Sequence, residues 1–256
     1  MTSSRKYFLG MDEAGRGSVI GPLVMGAVVI DEKTLEDYTT SEITDSKQLS
    51  SIKRTELFDL IKESAISYSA VLLHPSEIDS AVLSLTSNLN MLELQTMAQL
   101  IKKHSNATDI YIDAISKPDY CTTNLKTLLQ EEKSFLTIKK AKIDTLHITK
   151  MHQELKKHIT LIAQNKADLN YKVVSAASII AKVTRDLEIR KIEKEYGLEE
   201  HILASGYPNQ QLQPFLKKYK KEIKERTYPF IRYSWDWAPL KAIIAPDKLK
   251  QSKLLF

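Results

Sequence analysis

Five of the seven glycines in this 256-residue chain, Gly10, Gly15, Gly17, Gly21 and Gly26, fall in one short window near the N-terminus. An average chain carries glycine at about 7%, so a sequence that avoids it elsewhere and gathers it here has a backbone reason to do so. Apolar, β-branched runs flank the window, Tyr7 to Met11 before it and Leu23 to Ile30 after it, which predicts a β-hairpin. Gly197 reads as a helix cap and as the one purely structural glycine.

The rest of the chain alternates between strand and helix signals. A third strand is expected at Ile66 to Leu73, after a helix capped by Ser50 that runs from Ser51 to about Glu63. Pro75 opens one long helical region ending near His104, and Ile110 to Ile112 forms a short buried strand closing on Asp113. Between Tyr120 and Ala163 the expected pieces are a helix at Leu125 to Glu131, strands at Phe135 to Ile138 and Thr160 to Ala163, and a Lys-rich helix between those strands. A long helix from Val174 to about Tyr196 and a Lys-rich helix at Gln211 to Glu225 complete the pattern. This predicts an α/β fold, a mixed central sheet flanked by helices, with a helical C-terminal appendage. The expected division is residues 1–200 as the main domain and 201–256 as a basic helical region with a tail.

Charge and cysteine content narrow the setting. Residues 1–200 carry 26 Lys/Arg against 28 Asp/Glu, and residues 201–256 carry 11 against 4, so the net +5 lies in the C-terminal fifth. That asymmetry suits a polyanion such as nucleic acid, or equally a solvated lysine face. Cys121 is the single cysteine, which excludes an internal disulfide framework. Gly21, Pro22 and Gly26 break the longest apolar stretch, Val19 to Ile30. It is far short of the roughly 20 residues a bilayer span needs, and a cytoplasmic protein is expected.

The acids carry the chemical signal. Asp12 and Glu13 close the first strand just before Ala14-Gly15-Arg16-Gly17. Neighbouring strand residues point to opposite faces, so both can reach one site only where the strand ends or bulges. They fit either a buried metal pair or two acids exposed on a hairpin loop. Asp113 adds a third carboxylate at a strand end, where open α/β sheets place ligands. Strand-end carboxylates without a His or Cys cluster favour magnesium or manganese over zinc. On the long helix, Ser175, Ser178, Lys182 and Arg185 fall on one face of an otherwise apolar element, suiting phosphate oxygens or solvent.

Together these segments resemble the ribonuclease HII family, in the form of the archaeal enzymes or the eukaryotic catalytic subunit. The matching segments are Gly10 to Gly17 with Gly21-Pro22, Asp45-Ser46-Lys47, Asn88-Leu-Asn90 with Glu93, Ile110 to Asp113, Ala167-Asp168 with Tyr171, Val173 to Asp186, Ser205-Gly206-Tyr207-Pro208, and Arg232-Tyr-Ser-Trp235. The resemblance implies a ribonuclease-H-like fold and an endonuclease that cuts RNA in RNA/DNA hybrids, or 5′ of a ribonucleotide embedded in duplex DNA, leaving 3′-hydroxyl and 5′-phosphate ends. Its biological roles would be removal of misincorporated ribonucleotides and of RNA primers. By the same likeness Asp12, Glu13, Asp113 and Asp168 hold two Mg2+ or Mn2+ ions. Gly15, Arg16 and Gly17 meet the backbone at the ribonucleotide, and Tyr207 packs on its sugar. Lys47, Lys182 and Arg185 are the candidates for phosphate contacts.

Asp113 and Asp168 stand farther apart than the resemblance leads one to expect, so an insertion is expected within about residues 133–157, and Asp144 is a rival fourth acid. A monomer is expected. The tail from Gln251 to Phe256 carries a faint likeness to a sliding-clamp peptide but lacks its full aromatic pair, and an apolar disordered terminus is the favoured expectation. The alternatives are a ribonuclease HIII, which would carry a different glycine loop, and an inactive nucleic-acid-binding or assembly subunit.

Overall fold

The computed structural model describes residues 5–43, 50–129, 135–140, 145–152 and 157–245. Strand β1 (Tyr7–Ala14) pairs antiparallel with β2 (Leu23–Asp31), and β2 with β3 (Ser67–Leu73). Helices α1 (Glu32–Thr40) and α2 (Ser51–Ser64) lie between β2 and β3 in the chain. After α3 (Pro75–Leu83) and α4 (Leu89–Lys103), strand β4 (Asp109–Asp113) runs parallel to β1. Helix α5 (Pro118–Leu129) leads to β5 (Phe135–Lys140), β6 (Thr145–His152) and β7 (Lys157–Gln164), and β7 lies parallel to β4. The sheet has seven strands in the order β3-β2-β1-β4-β7-β6-β5. Helix α6 (Ala167–Asn170) and the long α7 (Lys172–Glu195) follow, then α8 (Gln213–Lys218), α9 (Lys220–Lys224) and α10 (Ala238–Ile244).

Period-two alternation on β1 builds both sides of the sheet. Leu9 and Met11 join Leu94, Met97, Cys121 and Leu125 of α4 and α5, while Phe8 packs with Val174, Ala177 and Ile180 of α7. Two glycines of the N-terminal window serve this packing. A Cβ on Gly10 would stand 2.2 Å from the carbonyl oxygen of Val173, and one on Gly26 would stand 2.3 Å from that of Ala177. Gly197 is therefore not the only structural glycine. It does end α7, at φ +59, with Leu198 N–H on the Glu193 carbonyl as a Schellman cap requires.

Several expectations are corrected. The helical region opened by Pro75 is two helices, because Ser84 and Asn88 turn their side chains onto nearby backbone: Ser84 Oγ accepts from Thr86 and Ser87, and Asn88 caps α4 at Met91. The piece expected as a Lys-rich helix before β7 is strand β6, whose Thr145, Ile148 and Thr149 suit a ladder. With β5 it extends the sheet beyond β7, in the stretch where an insertion was expected. Helix α5 starts earlier than expected, at Pro118. The Lys-rich helix after Gln211 is a 3-10 turn followed by α8 and α9, interrupted at Tyr219, whose ring packs between Phe215 and Tyr228. Helices α1 and α10 were not foreseen.

Beyond α7, the described residues form a third apolar cluster: Leu203, Leu212, Phe215, Ile223, Phe230 and Leu240 pack with Val19, Ile20 and Ile189. Gly206 O accepts from the N–H groups of Val19 and Ile20, at 2.8 and 3.1 Å, and Phe230 O accepts from Gly21 N at 2.8 Å. The C-terminal region thus braces the glycine-rich loop. Among the described residues no helix is long and apolar enough to cross a membrane.

Candidate active site

Strands β1, β4 and β7 are neighbours and parallel, so their C-terminal ends open on one edge of the sheet. Asp12 and Glu13 lie near the end of β1, Asp113 ends β4, and Asp168 follows β7 on α6. No bulge is needed to bring the adjacent acids to one site, because they straddle the edge. Asp12 points to the α7 side, where it meets Ser178 and Lys182; Glu13 points to the side of Glu93 and Cys121. Asp113 interacts electrostatically with both and with Asp168. The edge also shapes α6: Asp113 Oδ1 accepts from Ala167 N at 3.0 Å, and Ser175 Oγ donates to the Asp168 carbonyl at 2.5 Å.

Crowding raises the affinity of these acids for protons. Burial, then the neighbouring Asp113, pushes the pKa of Asp12 up to about 7, against the pull of Ser178, Lys182 and the Glu13 N–H. Burial, Asp12, Glu93 and Asp113 hold Glu13 well above the usual carboxylate range. Asp113 is raised by burial as well. Glu13 Oε2 is buried with no hydrogen-bond partner. A buried carboxylate oxygen left unpaired is costly, and a cation at the strand edge satisfies it. Among the described residues no three His, Cys, Asp or Glu side chains already form one coordination sphere. The donor set is carboxylate throughout, which suits a hard divalent ion.

The loop after β1 lies beside these acids. Gly15 has φ +83, and a Cβ there would stand 2.3 Å from Arg185 Nε; both facts require glycine. Arg16 turns its side chain onto α4, with Nε 2.9 and 3.0 Å from the two oxygens of Glu93 and Nη2 bonded to Asn90. Glu93 is 0% exposed, and burial raises its pKa to about 7 despite the arginine. Gly17 is exposed and faces Tyr207, whose Cε1 lies 3.8 Å from the position of a Cβ on that glycine. The ring of Tyr207, 37% exposed, lies 4.9 Å from the Arg185 guanidinium.

Two of the lysine and arginine candidates have defined places. Lys182 is half-buried near Asp12. Arg185 is 3% exposed, bonded to the Ser205 carbonyl beneath both loops, so it supports Tyr207 and the Gly15 turn rather than presenting a free cation. Lys47 and Asp144 lie outside the described residues, as does the tail after residue 245. Residue-by-residue reading gave no role to Glu93 or Asn90, and it read Ser178 as part of a stripe for phosphate or solvent, whereas the structure sets it on Asp12. The available signal was a charged residue among Leu89, Leu92, Leu94 and Met97 of an apolar helix.

A mixed sheet with carboxylates gathered at the ends of adjacent parallel strands, walled by helices on both faces, defines a nuclease with the ribonuclease-H-like fold. The sequence model of the family "Ribonuclease HII" matches residues 9–238. A ribonuclease HII of Methanococcus maripaludis is 38% identical, covering 98% of this chain and 91% of that protein. The crystal structure of ribonuclease H2 from Pyrococcus horikoshii superposes with a TM-score of 0.71 at 33% identity, covering 94% of this chain and 100% of that one. The ribonuclease HII of an Archaeoglobus fulgidus complex with PCNA superposes at 0.68 and 26% identity, covering 90% and 95%. The chain belongs to the ribonuclease HII family and is a hydrolytic endonuclease, a ribonuclease H of type 2.

Proposed function

We propose that this enzyme cuts the RNA strand of RNA/DNA hybrids and the bond 5′ of a ribonucleotide embedded in duplex DNA, leaving 3′-hydroxyl and 5′-phosphate ends. The observation that supports this is the convergence of Asp12, Glu13, Asp113 and Asp168 at one sheet edge, beside a glycine loop and an exposed tyrosine. Telling RNA from DNA means sensing one 2′-hydroxyl. Backbone groups reach it only where no side chain holds the strand away, which suits the Gly15-Arg16-Gly17 turn with the Tyr207 ring opposite.

The four carboxylates would hold two Mg2+ or Mn2+ ions, which when bound supply water activation and charge neutralisation at the leaving oxygen. Asp12 and Glu13 enter from opposite faces of the sheet, with Asp113 on the neighbouring strand next in register to Asp12, so cations held by these acids would face the scissile phosphate at the sheet edge. Tyr207 packs on the sugar, and Lys182 and Lys47 steady flanking phosphates, with Arg185 setting the tyrosine from behind. In this reading residues 1–200 form the catalytic domain and 201–256 a basic region that braces it. The enzyme works as a cytoplasmic monomer in removing misincorporated ribonucleotides and RNA primers, and the tail from Gln251 to Phe256 contacts a sliding clamp.

The test maps incision of a DNA duplex carrying one ribonucleotide beside a uniform RNA/DNA hybrid, with and without divalent metal. Metal-dependent cleavage on the 5′ side of the lone ribonucleotide is expected. Hybrid cleavage without that incision would overturn the junction specificity, and binding without cleavage of either would favour an inactive subunit.

A further inference from the structure

Arg232 is 0% exposed, yet its guanidinium meets no carboxylate within ion-pair distance among the described residues. Burial and the neighbouring Arg185 both work against its charge. Its donors go to backbone carbonyls of the glycine-rich loop instead. Nε and Nη2 reach Gly21 O at 3.1 and 3.0 Å, and Nη1 reaches Arg16 O at 3.0 Å. The segment carrying it is fixed in turn: Arg232 N donates to Val19 O, and Asp79 accepts from the N–H groups of Tyr233 and Ser234.

The Arg16 carbonyl belongs to the central peptide of a β-turn. Ser18 N closes on Gly15 O at 3.2 Å, with Arg16 and Gly17 in the middle. Neither central residue has positive φ. A type II turn needs φ near +80° at its third residue, so this turn is not of that type. Types I and II differ by a flip of the central peptide, and a glycine at position 17 leaves both open. Because the peptide is trans, holding its carbonyl inward turns the Gly17 N–H outward. Among the described residues that N–H has no hydrogen-bond partner, and Gly17 is exposed on the side of Tyr207.

We propose that Arg232 is a positioning residue: it fixes the Arg16–Gly17 peptide so that a donor, the Gly17 N–H, faces the substrate where a flipped turn would present a carbonyl. The inference rests on the reading that this turn meets the ribonucleotide. A phosphate oxygen accepts from an N–H and is repelled by a carbonyl, and a 2′-hydroxyl would have to change from acceptor to donor, so the flip changes the local recognition. The C-terminal region then contributes to specificity from behind the loop, without touching the nucleic acid through Arg232.

The test is a double-mutant cycle of Arg232→Lys and Gly17→Ala, joined to structures of the variants. Alanine at position 17 disfavours the positive φ of the flipped turn, and its Cβ meets nothing nearer than 3.8 Å in the protein itself. Arg232→Lys is expected to lower kcat/KM at a lone ribonucleotide by about ten- to a hundredfold. Gly17→Ala by itself should lower kcat/KM, because its Cβ faces the nucleic-acid strand, and in that background the same change should cost markedly less, because alanine supplies the missing constraint. Crystals of Arg232→Lys should show the 16–17 peptide flipped or in two orientations. An unchanged peptide, or losses that simply multiply, would overturn the proposal. If the lysine variant does not fold, relaxation dispersion on the wild-type Gly17 amide still decides, since microsecond-to-millisecond exchange there would mean that the peptide is not held. Failure of the wild-type enzyme to incise at a lone ribonucleotide would sink the functional reading separately, while the structural readouts still judge the turn.

Discussion

Arg16 lies flat on Glu93, with its Nε 2.9 and 3.0 Å from the two carboxylate oxygens, and Glu93 is wholly enclosed in α4. The middle side chain of the glycine loop is therefore committed to the protein, leaving backbone to face outward. Removing one partner of a buried pair costs about 3–5 kcal/mol when both are buried. Here the arginine side chain is 38% exposed, so Glu93→Ala should cost about 1–3 kcal/mol. Thermal melting checks this, and Glu93→Gln, which keeps an acceptor for Arg16, should lose less. Equal melting of the alanine variant and wild type would show that the pair contributes nothing.

Asp12→Asn should abolish cleavage and stabilise the metal-free protein. In the folded protein the Asp12 pKa is raised from 3.8 to about 7, so at about pH 8 its ionised form opposes folding by on the order of 2–4 kcal/mol. Asparagine can retain the acceptor that takes the Glu13 N–H at 2.8 Å. Melting should rise by several degrees with chelator present, and an unchanged or lowered melting temperature would contradict the crowding of these acids.

The same crowding sets a pH dependence. Asp12 and Glu93 both ionise near 7 in the folded protein, above their ordinary values of 3.8 and 4.5. The folded state therefore holds more protons than the unfolded chain across that window. The associated stability is full below about pH 4 and is lost as pH rises through 7. A divalent cation must displace protons from the site. The increase in melting temperature on adding Mn2+ should thus be larger at about pH 8 than at about pH 5.5. An equal or greater increase at the lower pH would count against carboxylate binding.

Gly10→Ala should prevent folding or lower stability by more than the roughly 1–3 kcal/mol typical of overpacking. The added Cβ would stand 2.2 Å from Val173 O and 2.7 Å from Val174 N, backbone atoms at the start of α7 that cannot step aside alone. Gly197→Ala, where a Cβ meets nothing within 4 Å but φ is +59, should cost far less, about 1 kcal/mol. Chemical denaturation of the pair checks the order, and a well-folded Gly10→Ala would contradict the close approach of β1 and α7.

Local chemistry alone accounted for much of the fold. The flanks of the glycine window form β1 and β2 because β-branched runs interrupted by glycine have few other options. Ser50 caps α2, accepting from Lys53 N at 3.1 Å, as its position before an apolar helix stripe indicates. What failed was the reading of continuity. The helix after Pro75 breaks where Ser84 and Asn88 accept from backbone N–H groups a few residues on, and a stretch read for its lysines became β6, because its β-branched residues pair with β5 and β7.

The sequence by itself determined which residue types this protein has to work with: acids at the ends of predicted strands, glycines packed into one window, and a serine-lysine-arginine stripe on one helix. These follow from periodicity and spacing, which are local properties of the chain. Only the tertiary structure decided what each is for. It put Asp12 and Glu13 on opposite faces of β1 yet at one edge, because β1 and β4 run parallel and bring Asp113 into register beside Asp12. It divided the glycines between strand packing, at Gly10 and Gly26, and a turn held by Arg232 from 211 residues downstream of Gly21. It also buried Arg185 beneath Tyr207 instead of leaving it for phosphate. Each of these depends on which distant segment supplies the neighbouring wall, and no local pattern carries that information.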